Sequence, residues 1–291
     1  MQRLPPRPDA VPAVHEQWVA AMRRADFATA WRISDAVLAA RDPATRDEPG
    51  KPYHERWVWD GRPLDGRDVT VRCYHGLGDT LQFAQFLPLL AARAARVTLE
   101  VQPELLRLMA AQPGGLRLVP FDPAHPLPVS AAEVEIMELS HALRAAPYPA
   151  PYLRVDAPGP PGIGACCQAG AWDPARSIAP ELLLPLLPGA VSLQREAMGE
   201  GADVLDTARR IAGLDLVVSV DTMVAHLAGA LGRPIWLLLR AEADWRWGSG
   251  GSVPWYGSVR AVRQIQEGDW RPALAEMSRM VDAVHHRVRV A

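Results

Sequence analysis

The sequence predicts an α/β protein made of two Rossmann-like halves that follow an N-terminal helical hairpin. Three stretches carry that expectation. Leu214 to Leu239, LDLVVSVDTMVAHLAGALGRPIWLLL, reads as strand, turn, helix and strand. Its first apolar run is rich in β-branched residues, as a strand buried on both faces requires, and Met223, Val224, Leu227, Ala228 and Leu231 then recur at helical spacing until Gly232 and Pro234 stop the helix. Val69 to Leu90 repeats the pattern, with the turn HGLGDTLQF between strand and helix. Pro147 to Gly162, PYPAPYLRVDAPGPPG, is dense in proline and glycine and reads as the link between the halves.

Size and composition agree. A chain of 291 residues, 49% hydrophobic, is long enough for two domains with separate cores. A formal charge of -2 with mixed signs leaves no footprint for nucleic acid. Lys51 is the only lysine, so a phosphate or carboxylate that needs a cation must be met by arginine or by backbone amides. The 3 cysteines, with Cys166 and Cys167 adjacent, fit neither a disulfide framework nor a zinc spacing and indicate a reducing compartment. MQRLPPRPDAVPAV lacks the apolar core of a signal peptide, and no run approaches the ~20 apolar residues that span a bilayer. The expectation is a cytoplasmic protein.

Taken in order, the chain opens on a Pro- and Arg-rich stretch of about ten residues, read as loose. Trp18, Val19 and Met22 form one helical stripe, and Ala30, Trp31, Ile33, Val37 and Leu38 a second, across a turn at Ala25 to Phe27. This hairpin looks like a single tetratricopeptide-type unit. No second copy follows, and one such unit cannot bury its face alone, so it must pack on the rest of the chain or on a partner. Asp42 to Pro52 is a polar linker. The first half then runs through a strand at Val69 to Tyr74, the glycine turn, a helix carrying Leu81, Phe86, Leu87 and Leu90, and the segments RVTLEV, LRLVPF and VEIMELSHAL. The second half begins at Ile163 and passes through the loop AGAWDPARSIAP, a helix near Glu181 to Leu187, the strand AVSLQ and the helix DVLDTARRIAGL. After Leu239 come an aromatic-rich loop and a closing helix from Trp270 to about His285. The expected domains are 1–50 (hairpin and linker), 51–158 and 159–291. Two such halves imply two sheets facing a cleft, with ligand bound between them.

The chemistry sits where strands meet helices. Asp221, Thr222 and His226 fall where a strand's carboxyl end meets a helix's amino end, a place whose open N–H groups and dipole favour an anion. In the first half, Gly76 and Gly78 allow a tight turn and a close approach to ligand, and Asp79 falls at the start of the helix.

HGLGDTLQFAQFLPLL and SVDTMVAHLAGALGRPIWLLL resemble the two signature regions of the heptosyltransferase-related (family 9-like) glycosyltransferases. Residues 52 to about 270, including DWRW and PWY, resemble the glycosyltransferase domain at the carboxyl end of bacterial tetratricopeptide-repeat proteins. The resemblance implies a GT-B fold, with a nucleotide-sugar donor on the C-terminal domain and a protein or glycan acceptor, such as lipopolysaccharide, against the N-terminal one. It also implies inversion at the sugar carbon, no metal and no cofactor beyond the donor.

Carried over by position, Asp79 matches the aspartate of the family's Gly-Asp motif, the candidate general base, and His75 is a second candidate. Asp221, Thr222 and His226 match the donor motif, with Thr222 and the amides after it meeting the pyrophosphate. Relatives carry a phosphate-binding lysine in the loop corresponding to Ala169 to Ile178; this chain offers Arg176 there, in a loop that looks short. Gln194 ends a strand at the same crevice, and Gly78 is expected on the donor side. Trp245, Trp247 and Trp255 could stack on a base or sugar, or pack their own loop. Asp79 could equally only cap its helix, and His226 could be a satisfied core histidine. The competing reading is a catalytically degenerate GT-B fold acting as a binding or scaffold module, motivated by the short loop and the missing lysine. The hairpin is expected to be able to dock a protein partner.

Overall fold

A computed structural model describes residues 12–48, 56–171, 173–199, 201–250 and 252–290. The predicted loose N-terminus, Lys51 and Pro52 lie outside the described residues. The chain divides into two compact units, one ending at Tyr148 and the other beginning at Pro149. Each is an α/β unit on a mainly parallel sheet.

The N-terminal unit includes the hairpin, α1 (Pro12–Arg23) and α2 (Phe27–Ala39). Asp26 caps α2 by accepting from Thr29 N at 3.1 Å. The hairpin packs on its own unit. Trp31 Nε1 donates to Ser140 Oγ at 3.3 Å, Asp35 meets His141 Nε2 at 2.9 Å and also binds Arg144, and Arg41 pairs with Glu138 at 2.5 Å.

Beyond the hairpin come β1 (Asp68–Arg72), α3 (Leu77–Phe83), α4 (Leu87–Ala91), β2 (Arg96–Val101), α5 (Leu106–Ala110), β3 (Arg117–Pro120), β4 (Glu133–Glu135) and α6 (Leu139–Leu143). The four strands are parallel in the order β3-β2-β1-β4. The single helix expected after β1 is two helices, with a 3-10 turn at Ala84–Phe86 between them. Pro88 explains the break: it has no N–H to give, and its ring would clash with the carbonyl of Ala84, four residues back.

The centre of this sheet holds charge. Arg72, fully buried, binds Glu100 Oε2 at 2.7 Å and Glu133 Oε2 through Nε at 3.1 Å, and donates to the carbonyls of Leu127 and Pro128 at 3.3 and 3.2 Å. Glu100 Oε1 accepts from Leu127 N at 2.6 Å, and Glu133 accepts from Ser130 N at 3.2 Å. Burial pushes the Glu100 carboxyl up, while the Leu127 N–H and Arg72 pull it back. One guanidinium thus ties strands β1, β2 and β4 to the 127–130 loop.

The C-terminal unit contains β5 (Ile163–Cys166), α7 (Pro180–Leu183), β6 (Val191–Ser192), α8 (Val204–Gly213), β7 (Leu216–Val220), α9 (Met223–Ala230), β8 (Ile235–Leu239), β9 (Ser252–Val253), β10 (Tyr256–Arg263) and α10 (Arg271–Val290). The sheet order is β6-β5-β7-β8-β10-β9, parallel throughout except that β9 runs against β10. The core includes Val218, Val220, Leu238, Val262 and Met277.

The Pro- and Gly-rich stretch is built into this unit. Tyr152 N and Leu153 N both donate to Ala230 O, at 3.0 and 3.1 Å, and Gly159 N donates to Arg209 O at 2.8 Å. Gly213 has to be glycine, because a Cβ there would stand 1.8 Å from Gly159 O. Residues 149–158, placed in the first domain by the sequence reading, therefore pack with the second.

Truncating Arg72 leaves two buried carboxylates without their cation. Arg72→Met should lower unfolding stability by about 3–5 kcal/mol in urea titration. A loss under ~1 kcal/mol would show that the triad contributes little.

Candidate active site

In the C-terminal unit, β7 ends at the centre of the sheet and hands the chain to α9 through Asp221 and Thr222. Thr222 is the N-cap in extended conformation, φ -147° and ψ 175°, yet its side chain does not cap the helix. Its hydroxyl turns back to Ser219 Oγ at 3.3 Å and Cys166 Sγ at 3.7 Å. The first-turn N–H groups are left without a side-chain cap at the positive end of the helix dipole.

Arg176 reaches this corner from the 3-10 turn Pro174–Arg176. Its Nη1 donates to Asp221 O at 2.8 Å and lies 3.5 Å from Asp221 Oδ2. Its Nε faces Asp173 Oδ2 at 3.6 Å, and Asp173 in turn receives Arg240 Nη1 at 3.2 Å. Arg240 also pairs with Glu267. Burial pushes the Asp221 carboxyl up, Arg176 pulls it back, and the Asp244 carboxylate adds to the rise. The guanidinium is thus fixed beside an open helix terminus, an arrangement suited to an anion.

The remaining predicted donor residues are used internally. His226, buried on α9, shares a hydrogen bond of 2.9 Å between Nδ1 and Tyr256 Oη, and its ring packs against Trp247 with centroids 4.7 Å apart. It is a satisfied core histidine. Trp245, Trp247 and Trp255 are 8%, 0% and 1% exposed, so they are not the exposed stacking platforms that the sequence allowed. Trp245 and Trp255 pack edge to face at 6.0 Å, and Trp247 lies 6.1 Å from the Tyr256 ring. They pack their own loop, because a segment this aromatic gains more by burying its rings than by wetting them. Gln194, with its amide oriented to suit its neighbours, accepts from Cys167 N at 3.0 Å and Gln168 N at 2.6 Å. It braces the end of β5.

The N-terminal unit presents a second set of groups beyond β1. Asp79 Oδ2 accepts from Gly76 N at 3.0 Å, in a capping box on α3. Gly78, expected on the donor side, lies in the first turn of α3 in this same N-terminal unit. His75 Nε2 pairs with Glu135 Oε1, whose other oxygen receives Tyr74 Oη at 3.3 Å. Gln102 holds this turn, donating to His75 O at 2.9 Å and accepting from Thr80 Oγ1 at 3.0 Å.

Sequence reasoning missed Asp173, Arg240 and Glu135. Asp173 is three residues from Arg176, a spacing that could have signalled the pair. Glu135 reaches His75 only through the pairing of β1 with β4, which has no local signature. Among the described residues, no group of three or more His, Cys, Asp or Glu is placed to hold a metal ion. No described helix is long and apolar enough to cross a membrane.

No family model matches the sequence. Protein FlbA of Caulobacter vibrioides is 36% identical over 85 residues, 29% of this chain and 14% of FlbA, so the match spans a small part of that relative. Among solved structures, the iron-containing dodecameric glycosyltransferase TibC of enterotoxigenic E. coli aligns with TM-score 0.52 at 15% identity, covering 67% of this chain and 63% of TibC. TibC, a heptosyltransferase, has also been solved with ADP-D-β-D-heptose, matching at TM-score 0.50 and 16% identity. A family 9 glycosyltransferase of Veillonella parvula gives 0.52 at 12%, covering 70% of this chain and 88% of that one. The E. coli ADP-heptose lipopolysaccharide heptosyltransferase II gives 0.52 at 14%, covering 76% and 99%. The chain has the fold of the heptosyltransferase-related, family 9-like glycosyltransferases.

Asp221 takes up a proton more readily in the folded chain than at its ordinary value of 3.8. Its stabilising contribution is therefore present at low pH and is lost as pH rises through the higher folded value. Asp221→Asn keeps the backbone carbonyl that Arg176 binds, so it should raise the melting temperature at pH 7 more than at pH 4. An equal shift at both, or a fall at pH 7, would contradict this.

Proposed function

We propose that the chain is an inverting glycosyltransferase that moves a sugar from a nucleotide-diphosphate sugar to a hydroxyl of a protein or glycan acceptor, without a metal. The observation that carries this reading is Arg176, fixed on Asp221 beside the uncapped terminus of α9. A leaving nucleoside diphosphate gains negative charge, and a preorganised guanidinium with open amides stabilises it where it forms. Thr222 and the α9 amides take the pyrophosphate, with Arg176 in the place of the missing lysine. Asp221, His226 and Gln194 hold this corner in shape. The ADP-heptose seen with TibC supports a nucleotide-sugar donor for a chain of the same fold.

Asp79 and His75 supply the general base on the N-terminal unit, where the acceptor binds. Asp79 commits one oxygen to its capping bond, and His75 is oriented by Glu135. The 3 cysteines are free and buried, which supports a reducing cytoplasm.

A second reading, a degenerate transferase fold serving as a scaffold, is favoured by the internal use of His226, Gln194 and all three tryptophans. Calorimetric titration with nucleoside diphosphates separates the two. The transferase reading expects binding at millimolar levels or tighter, unaffected by EDTA, and weakened roughly tenfold or more by Arg176→Ala. Absence of binding to the intact chain would favour the scaffold. Once an acceptor is known, Asp79→Asn should abolish turnover while sparing donor affinity; full activity in that variant would leave His75 as the base.

A further inference from the structure

Arg246 stands in the loop after β8, on the 3-10 turn Trp245–Trp247. Its guanidinium lies over the Trp245 ring at 4.4 Å, and its Nη1 meets Asp244 Oδ1 at 2.9 Å. Asp244 also accepts from Arg246 N at 3.0 Å, so one carboxylate fixes both backbone and side chain. The turn is pinned in place. Arg263 Nη2 donates to Trp247 O at 2.7 Å and to Gly248 O at 2.9 Å, while the Trp247 ring packs on His226. His226 belongs to the first turn of α9, its N–H donating to Thr222 O at 3.4 Å. The Arg246 turn is therefore built onto the same helix terminus that Arg176 approaches from the other loop, and the Asp221 carboxyl feels both guanidinium charges.

Two arginines here answer a shortage. The described residues contain no lysine, and Arg176 already shares its charge with Asp173 and Asp221. A diphosphate presents more charge than one partly neutralised guanidinium can balance. A cation stacked on a ring has lost much of its side-chain freedom beforehand, so little ordering remains to oppose binding.

We propose that Arg246 is the second cation of the donor site, acting with Arg176 as a paired clamp that selects nucleoside diphosphates over monophosphates. The assignment rests on the donor reading above. The test is calorimetric titration of the full chain with ADP, UDP, GDP and CDP and with their monophosphates, for the wild type, Arg246→Met and Asp244→Asn. Arg246→Met keeps an aliphatic stem on Trp245 and should weaken the best diphosphate by about tenfold or more, its monophosphate by less than about threefold. The difference should shrink as salt rises. Asp244→Asn can still cap the turn but no longer neutralises Arg246, so it should bind the diphosphate at least as tightly as wild type. A merely structural role would weaken both variants, and mono- and diphosphate alike; that outcome overturns the assignment. So does wild-type diphosphate affinity in Arg246→Met. Should that variant fail to fold, weakened diphosphate binding in a folded Asp244→Asn overturns it equally. Wild-type protein that binds no diphosphate at millimolar concentration removes the donor reading itself, whereas wild-type binding with an indifferent Arg246→Met removes Arg246 alone.

Discussion

The contact between Arg176 and the main-chain carbonyl of Asp221 decides what the C-terminal unit presents. A parallel sheet exposes its chemistry at the carboxyl ends of its strands, and there the loops that follow must be held clear of the helix terminus. By binding a carbonyl rather than a side chain alone, Arg176 fixes its loop to the end of β7 whatever the protonation state of Asp221. Asp173 then passes the constraint to Arg240, on the loop after β8. Two loops are set by one chain of alternating charges, and the first turn of α9 is left open between them.

The N-terminal unit uses charge differently. Arg72 is spent inside the sheet, where it holds Glu100, Glu133 and two carbonyls of the 127–130 loop. Such a triad is a costly way to fill a core, since desolvation offsets most of the Coulombic attraction. What it provides is definition: a loop with no regular hydrogen bonding is fixed to three strands at once. Beyond the same strands, Glu135 holds His75, so buried carboxylates shape both the interior and the rim of this unit.

The elements that run on local pattern were legible. The apolar runs at β7 and β8, the helical spacing of α9 and its stop at Gly232, where φ is 69°, all follow from sequence periodicity and backbone sterics. Leu214 falls outside β7 because it is the C-cap of α8, its N–H donating to Ile211 O at 3.0 Å, and Asp215 next to it accepts from Gly162 N through Oδ2 at 3.0 Å. Asp79 and Arg176 could be placed because each sits at a glycine turn or a loop whose length limits its reach. The tryptophans could not, because aromatic content reads the same for an exposed platform and a self-packed loop. Nor could Glu135 or Glu133, acidic residues in a short strand whose partners lie about sixty residues earlier in the chain.

Asp221 has a further consequence for the corner between β7 and α9. Its carboxylate lies 3.5 Å from the guanidinium of Arg176, where a phosphate oxygen could also sit. On the proposed donor reading, an anion entering beside it would compete with that carboxylate, and the added negative charge would raise the carboxyl's hold on a proton. Ligand and proton would then enter together, so that affinity for such an anion would climb as the solution is acidified.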